Sequence, residues 1–361
     1  MVKKIKNHKN QISLIKPKSS QILESNPLRR TILTILMILL FMYIIVSDKM
    51  YLFVLIFLVQ SFVFKEVIGV AAFRRKVSFL TKYLSFHFFF AANLFLLHKN
   101  ITTFLKKFLP EITRFYTFFA FSFYILGFCL FTFNLKRKRI RDQFIIFAVT
   151  HVTVFYLSKA VQLAIMNLNK SKFWFVFPCM LIITNDIGAY VVGKWIGRRP
   201  LIQISPKKTQ EGFLGAFIIT LVIGYAMIFF TIRYKLVGQE WIKIFSEKLF
   251  INFLGMKTWV QMIYLHGTIF ILFASFIAPF GGFFASGYKR MFKVKDFGTL
   301  IPGHGGIADR MDCQFIMILF TTVYIDTFLD VNMSSVQKIA KYIKEHLNNE
   351  EINDLISLIA Q

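Results

Sequence analysis

The chain has 361 residues, 56% of them hydrophobic, with 46 Phe and only 17% charged side chains. An average soluble domain carries about 25% charged residues, so this composition excludes an ordinary water-soluble fold. A net charge of +26 would suit nucleic acid in a soluble domain, but the basic residues cluster between apolar blocks, which assigns them to membrane topology and implies no nucleic-acid partner.

Residues 1–28 are polar and lysine-rich without periodicity, which predicts a disordered basic cytosolic tail and no cleavable leader. Apolar blocks follow at 30–47, 51–73, 83–98, 114–135, 143–159, 173–192, 213–232, 262–286 and 313–330. A span needs about 20 mostly apolar residues to cross a hydrocarbon core roughly 30 Å thick, so the blocks predict about nine transmembrane helices. Within lipid each must be helical, because no water satisfies exposed backbone groups. The expected fold is all-α, a polytopic integral membrane protein that binds the lipid bilayer along its length. Its parts are N-terminal transmembrane helices over 29–150, a catalytic transmembrane region over 151–332 and an amphipathic tail over 333–361. In that tail Val336, Ile339, Ile343 and Leu347 recur at helical spacing, suited to packing on itself, on the membrane surface or on a second subunit in a homodimer. Cys129, Cys179 and Cys313 are scattered and odd in number, which predicts neither a disulfide nor structural zinc.

Counting connections from a cytosolic N-terminus, the dense basic clusters fall on one side. They are Arg74-Arg75-Lys76, Lys136–Arg139, Arg198-Arg199 with Lys207-Lys208, and Lys289-Arg290 with Lys293 and Lys295. This one-sided bias predicts that those connections face the cytosol.

With 18 acidic residues in the chain, elimination is informative. The densest polar cluster runs from Ser286 through Lys289, Arg290, Lys293, Lys295 and Asp296 to Gly303, His304, Gly305, Gly306, Asp309, Arg310 and Asp312. Lys289, Arg290, Lys295 and Arg310 are cations suited to polyphosphate oxygens. Gly303, Gly305 and Gly306 let backbone N–H groups approach an anion. Asp296, Asp309 and Asp312 are hard oxygen donors suited to Mg²⁺. His304 could serve as acid or base, but a phosphate nucleophile is already largely ionised, so loop ordering or phosphate contact suits it better. Asp326 stands among apolar residues and is expected to pair within the bundle, and Glu66 lies in a span that could line the site.

A second cluster joins Asn185-Asp186 to Ser205, Lys207, Lys208, Thr209 and Glu211. An ionised Asp186 beside an apolar run costs about 2.5–3.5 kcal/mol on insertion scales, which calls for a partner or a function. Pro206 predicts a turn, and a helix starting near Glu211 would aim its N-terminus at that turn, a phosphate cradle. Gly188 to Lys194 imitates a P-loop, but Trp195 stands where Ser or Thr must bind Mg²⁺, so a Walker site is rejected.

At these clusters the sequence resembles the phosphatidate cytidylyltransferase (CDP-diacylglycerol synthase) family. The family's S-x-x-K-R-x-x-x-x-K-D and P-G-H-G-G-x-x-D-R-x-D patterns match from Ser286 to Asp312, and its N-D-x-x-A-Y-x-x-G and S-P-K-K-T-x-E-G patterns match at Asn185–Gly193 and Ser205–Gly212. The resemblance implies a nucleotidyltransferase of phospholipid biosynthesis using CTP and phosphatidic acid. It adds Ser286 and Glu211 to the substrate-binding set. Gly282 and Ala285 stand where bacterial members resemble G-D-x-x-E-S, which is similar to the eukaryotic branch. Metal ligation then rests on Asp309, with Asp186, Asp296 and Asp312 as further candidates and a second cation left open. The resemblance implies the endoplasmic reticulum membrane, with the site toward the cytosol. The alternatives are a membrane CTP-dependent polyprenol kinase and a non-enzymatic transporter.

Overall fold

A computed structural model describes residues 39–73, 78–96, 110–206, 208–234, 248–253, 256–298, 305–329 and 347–359, with a few single residues between these stretches. Among the described residues, 8 helices are long and apolar enough to cross a membrane. The first six are α1 (Lys49–Ala72), α2 (Phe79–Leu96), α3 (Pro110–Phe133), α4 (Ile140–Lys170), α5 (Lys172–Ile196) and α6 (Gln210–Arg233). One further span combines α7 (Met262–Leu272) and α8 (Pro279–Met291), and α9 (Ala308–Tyr324) opens the last. Each coincides with an expected span, in order, from 51–73 to 313–330. The block at 30–47 and the basic tail at 1–28 lie largely or wholly outside the described residues, although 39–46 are helical.

The connection before α7 departs from an all-helical chain. Strands β1 (Lys248–Phe253) and β2 (Met256–Gln261) form an antiparallel pair in which Phe253 faces Met256 and Lys248 faces Gln261. Each run has only 6 residues, too short to span, and Phe, Ile, Thr, Trp and Val favour extended backbone. In the tail, α10 (Asn349–Ile359) starts at a reciprocal cap: Glu351 N–H donates to Asn348 Oδ1, and Asn348 N–H to the Glu351 carboxylate, both at 2.9 Å.

The α7–α8 span changes its hydrogen-bond pattern ahead of Pro279. Pro279 has no N–H and its ring displaces the carbonyl one turn back. The chain answers with a π-helical turn over Phe273–Ile277, in which Ala278 N–H reaches Phe273 O at 2.9 Å. Beyond this turn Gly281 and Gly282 lie directly against Asp312 of α9; a Cβ on Gly281 would strike the Asp312 carbonyl.

The most extensive helix contact is between α5 and α6. At its loop end Gly193 lies against Gly212, where a Cβ on Gly212 would come within 2.9 Å of Gly193 Cα. Small residues are what let membrane helices approach this closely, since lipid tails are as apolar as side chains and association rests on packing. Deeper, Trp174, Phe177, Leu181, Ile228, Phe270, Ile271 and Met317 form a buried core between α5, α6, α7 and α9. A second core joins α1, α2, α4 and α9 through Phe64, Phe89, Leu157 and Phe315.

Four connections meet at one end of the bundle. Arg75 pairs with Asp142 at 3.4 Å and lies 5.1 Å from the Phe292 ring centre, and Lys208 lies 4.6 Å from that of Phe283. These are the connections expected to share a side. At the opposite end Lys170 of α4 pairs with Asp326, which settles that carboxylate's partner within the bundle.

Candidate active site

The site is assembled from two connections and the helix ends they join. Between α5 and α6 the chain folds into a tight loop, with Leu201 N–H donating to Lys208 O at 2.8 Å and Gln210 N–H to Arg199 O at 2.9 Å. Lys208 N–H donates to Ser205 O at 3.0 Å, closing a β-turn with Pro206 at its second position, as proline's fixed φ favours. Thr209 caps α6, its hydroxyl oxygen accepting Gly212 N–H at 3.2 Å. Glu211 is occupied locally: its carboxylate accepts the N–H groups of Arg198 and Arg199 at 3.0 to 3.3 Å. Glu211 thereby shapes the loop, and Lys208 is the side chain that reaches inward. Lys207 lies outside the described residues.

Lys208 enters a charged group inside the helix bundle. A Cβ on Gly282 would come within 2.9 Å of Lys208 Nζ and 3.3 Å of Asp312 Oδ2, which places cation and carboxylate side by side over this glycine. Asp312 Oδ1 accepts the N–H of Cys313 at 2.8 Å, leaving Oδ2 toward the lysine. Asp186 of α5 lies in electrostatic range of Asp312, Lys208 and Arg310. It is surrounded by protein yet solvent-accessible, as a side chain lining a concavity is. Two carboxylates and two cations thus balance one another inside an apolar bundle, where an unpaired charge would be costly.

Beside this group lies a second arrangement, centred on Asp309. Lys289 donates to Asp309 Oδ1 at 2.6 Å, and both side chains are close to nine-tenths buried. Asp309 Oδ2 accepts the N–H groups of Phe297 at 3.0 Å and Gly306 at 3.1 Å. Gly305 makes this possible with φ at 87°, a left-handed conformation that a side chain would oppose. Asp309, which leads the expected metal set, has its two oxygens engaged by a lysine and two backbone amides. Asp296 lies nearby and exposed, its Cβ 3.9 Å from the Cβ position of Gly305. Among the described residues no three His, Cys, Asp or Glu side chains converge as a metal-binding group.

The end of α8 is fixed by paired hydrogen bonds, Lys293 N–H to Arg290 O and Val294 N–H to Lys289 O, each at 3.0 Å. Lys293 takes the left-handed position at φ 56°, the place where glycine is usual. The Arg290 guanidinium donates to Val294 O at 3.2 Å, and the Ser286 hydroxyl donates to Gly282 O at 2.8 Å within its own helix. Lys295 is exposed. Gly303 and His304 lie outside the described residues.

A residue absent from the expected site set ties this end together. Glu66 of α1 accepts Ile307 N–H at 3.1 Å and Ala308 N–H at 2.8 Å, so one membrane helix caps the start of another. Those donors belong to the unsatisfied first turn of α9, and a carboxylate there also meets the positive end of the helix dipole. Side chains on Gly298 or Gly306 would run into the Glu66 carboxylate. The available sequence signal is a lone acidic residue within an apolar span.

The arrangement brings together cations for phosphate oxygens, hard carboxylates and a glycine-rich turn, at the charged end of a membrane bundle. Such a set can hold a polyphosphate beside a lipid headgroup. The sequence matches the cytidylyltransferase family over residues 28–328. It is 38% identical over 95% of its length to a phosphatidate cytidylyltransferase of Encephalitozoon cuniculi (strain GB-M1), covering 88% of that protein. It is 37% identical over 83% of its length to phosphatidate cytidylyltransferase 2 of Homo sapiens, covering 74% of it. The Saccharomyces cerevisiae phosphatidate cytidylyltransferase is 36% identical over 91% of this chain, with 79% of that protein covered. With the family match spanning most of the membrane region and both clusters inside it, the chain belongs to the cytidylyltransferase family.

Proposed function

We propose that the chain transfers CMP from CTP to phosphatidic acid, giving CDP-diacylglycerol and pyrophosphate. It is an integral membrane nucleotidyltransferase of phospholipid biosynthesis. The observation that carries this reading is Lys208, reaching from a tight polar loop to Asp312 and Asp186 within the bundle, where a soluble nucleotide and a membrane lipid can meet.

In the reaction a phosphate oxygen of phosphatidic acid attacks the α-phosphorus of CTP, the bond from that phosphorus to the β-phosphate bridge breaks, and pyrophosphate leaves. The nucleophile is already ionised, so this chain needs to position reactants and offset charge rather than remove a proton. Lys208 and Arg310 balance charge on the phosphate oxygens, and the Lys289–Asp309 pair holds the backbone at Phe297 and Gly306. Asp186 and Asp312 offer carboxylates from two helices, the kind of donor that Mg²⁺ takes together with substrate phosphates. When bound there, Mg²⁺ would supply further charge neutralisation on the phosphates. The one-sided basic connections support a site facing the cytosol, and the resemblance to the eukaryotic branch supports the endoplasmic reticulum.

Purified protein in detergent, given CTP, phosphatidic acid and Mg²⁺, should yield CDP-diacylglycerol by mass spectrometry and lose the activity when the metal is chelated. Absence of any cytidylylated lipid under these conditions overturns the reading, and turnover undiminished by chelation removes the metal from it.

A further inference from the structure

Next to the charged group a partly open apolar space runs down into the membrane region. It is a cavity of about 280 Å³ between α1, α4, α5 and α9, with Arg310 at its upper end. Its walls are almost wholly apolar, among them Val59, Ala164, Trp174, Phe315 and Ile318. Ile183, three residues before Asp186, lines the same upper part. From Arg310 to Thr321, both lining residues, the cavity follows α9 for about 16 Å at the rise of a helix. That is about half of a hydrocarbon core roughly 30 Å thick, the depth of one leaflet.

We infer that this cavity seats one acyl chain of the lipid substrate while Arg310 meets its phosphate; the inference rests on the phosphatidic acid reading above. A cation at the mouth of an apolar slot one leaflet deep complements a lipid whose anionic head joins directly to its chains. Entry of the chain gains nothing from the hydrophobic effect, because the surrounding lipid tails are as apolar as the walls. The seat therefore acts by shape, holding the phosphate in line with the nucleotide and rejecting chains that do not fit.

Phosphatidic acid carrying a mid-chain diazirine tests this directly. On illumination of the full-length protein, labelled peptides should include lining residues of α1, α5 and α9, and excess unlabelled phosphatidic acid should suppress the labelling. Labelling confined to outward-facing residues such as Leu58 and Phe118, at 48% and 66% exposure, overturns the proposal. Kinetics supply the second arm. Ala164→Phe fills the cavity and should raise KM about tenfold for dioleoyl phosphatidic acid while leaving KM unchanged for the dihexanoyl form and for CTP. Should that variant fail to fold, Ile318→Ala enlarges the same space and should shift preference toward bulkier chains. A variant that keeps the wild-type chain profile contradicts the seat. A wild-type protein that labels inside the cavity yet forms no CDP-diacylglycerol sinks the enzymatic reading and leaves the seat standing.

Discussion

The Glu66 carboxylate accepts the backbone N–H of Ala308 at 2.8 Å, joining residues 242 positions apart in the chain. Through this bond and its partner to Ile307, an N-terminal membrane helix holds the first turn of α9, which carries Asp309, Arg310 and Asp312.

Glu66→Ala should lower kcat about ten- to hundredfold, since hydrogen bonds to a charged group are worth about 1.5–3 kcal/mol. KM for CTP should move much less, because Glu66 orders the turn rather than touching substrate. Glu66→Gln keeps one acceptor oxygen and should recover most of the loss. Steady-state kinetics on both variants checks this; full activity of Glu66→Ala contradicts a positioning role.

Asp309→Asn should reduce turnover by about a hundredfold or more. It removes the countercharge from a Lys289 side chain that is only 12% exposed, and breaking such a buried pair costs about 3–5 kcal/mol. Retention of more than about a tenth of the wild-type rate, with normal membrane insertion, would remove this pair from the centre of the account.

Replacing Lys207 and Lys208 together by Gln should raise KM for CTP about ten- to hundredfold, the loss expected for charge-assisted phosphate contacts. KM for phosphatidic acid should hold. The opposite pattern would reassign the turn to the lipid headgroup and seat the nucleotide beside Lys289 and Arg290.

Cysteines placed in the 197–209 and 292–307 connections of a variant lacking Cys129, Cys179 and Cys313 should both react with an impermeant reagent from the cytosolic face of sealed microsomes. Opposite accessibility of the two connections would separate Lys208 from the Asp309 region and dissolve the shared site.

Much of this was legible in the sequence because membrane spans announce themselves locally. Long apolar blocks located α1 through α9, the isolated Asp326 foretold its ion pair, and Pro206 foretold the turn that Lys208 closes. The site residues themselves were legible as types, since cations, glycines and carboxylates interleave within short segments. Their partners were not. Nothing local reveals that Glu66 caps a helix far along the chain, or that Asp309 spends its oxygens on Lys289 and two amides. The π-helical turn ahead of Pro279 and the β1–β2 pair arise from how neighbouring segments pack and connect, which a hydropathy pattern does not record.

The most direct test of the account follows the phosphorus atoms of CTP. With purified protein and phosphatidic acid, label at the α position should appear in the lipid product and label at the γ position in free pyrophosphate. Label from the γ position arriving in the lipid would show phosphoryl transfer, the outcome of a CTP-dependent lipid kinase, and would contradict cytidylyl transfer.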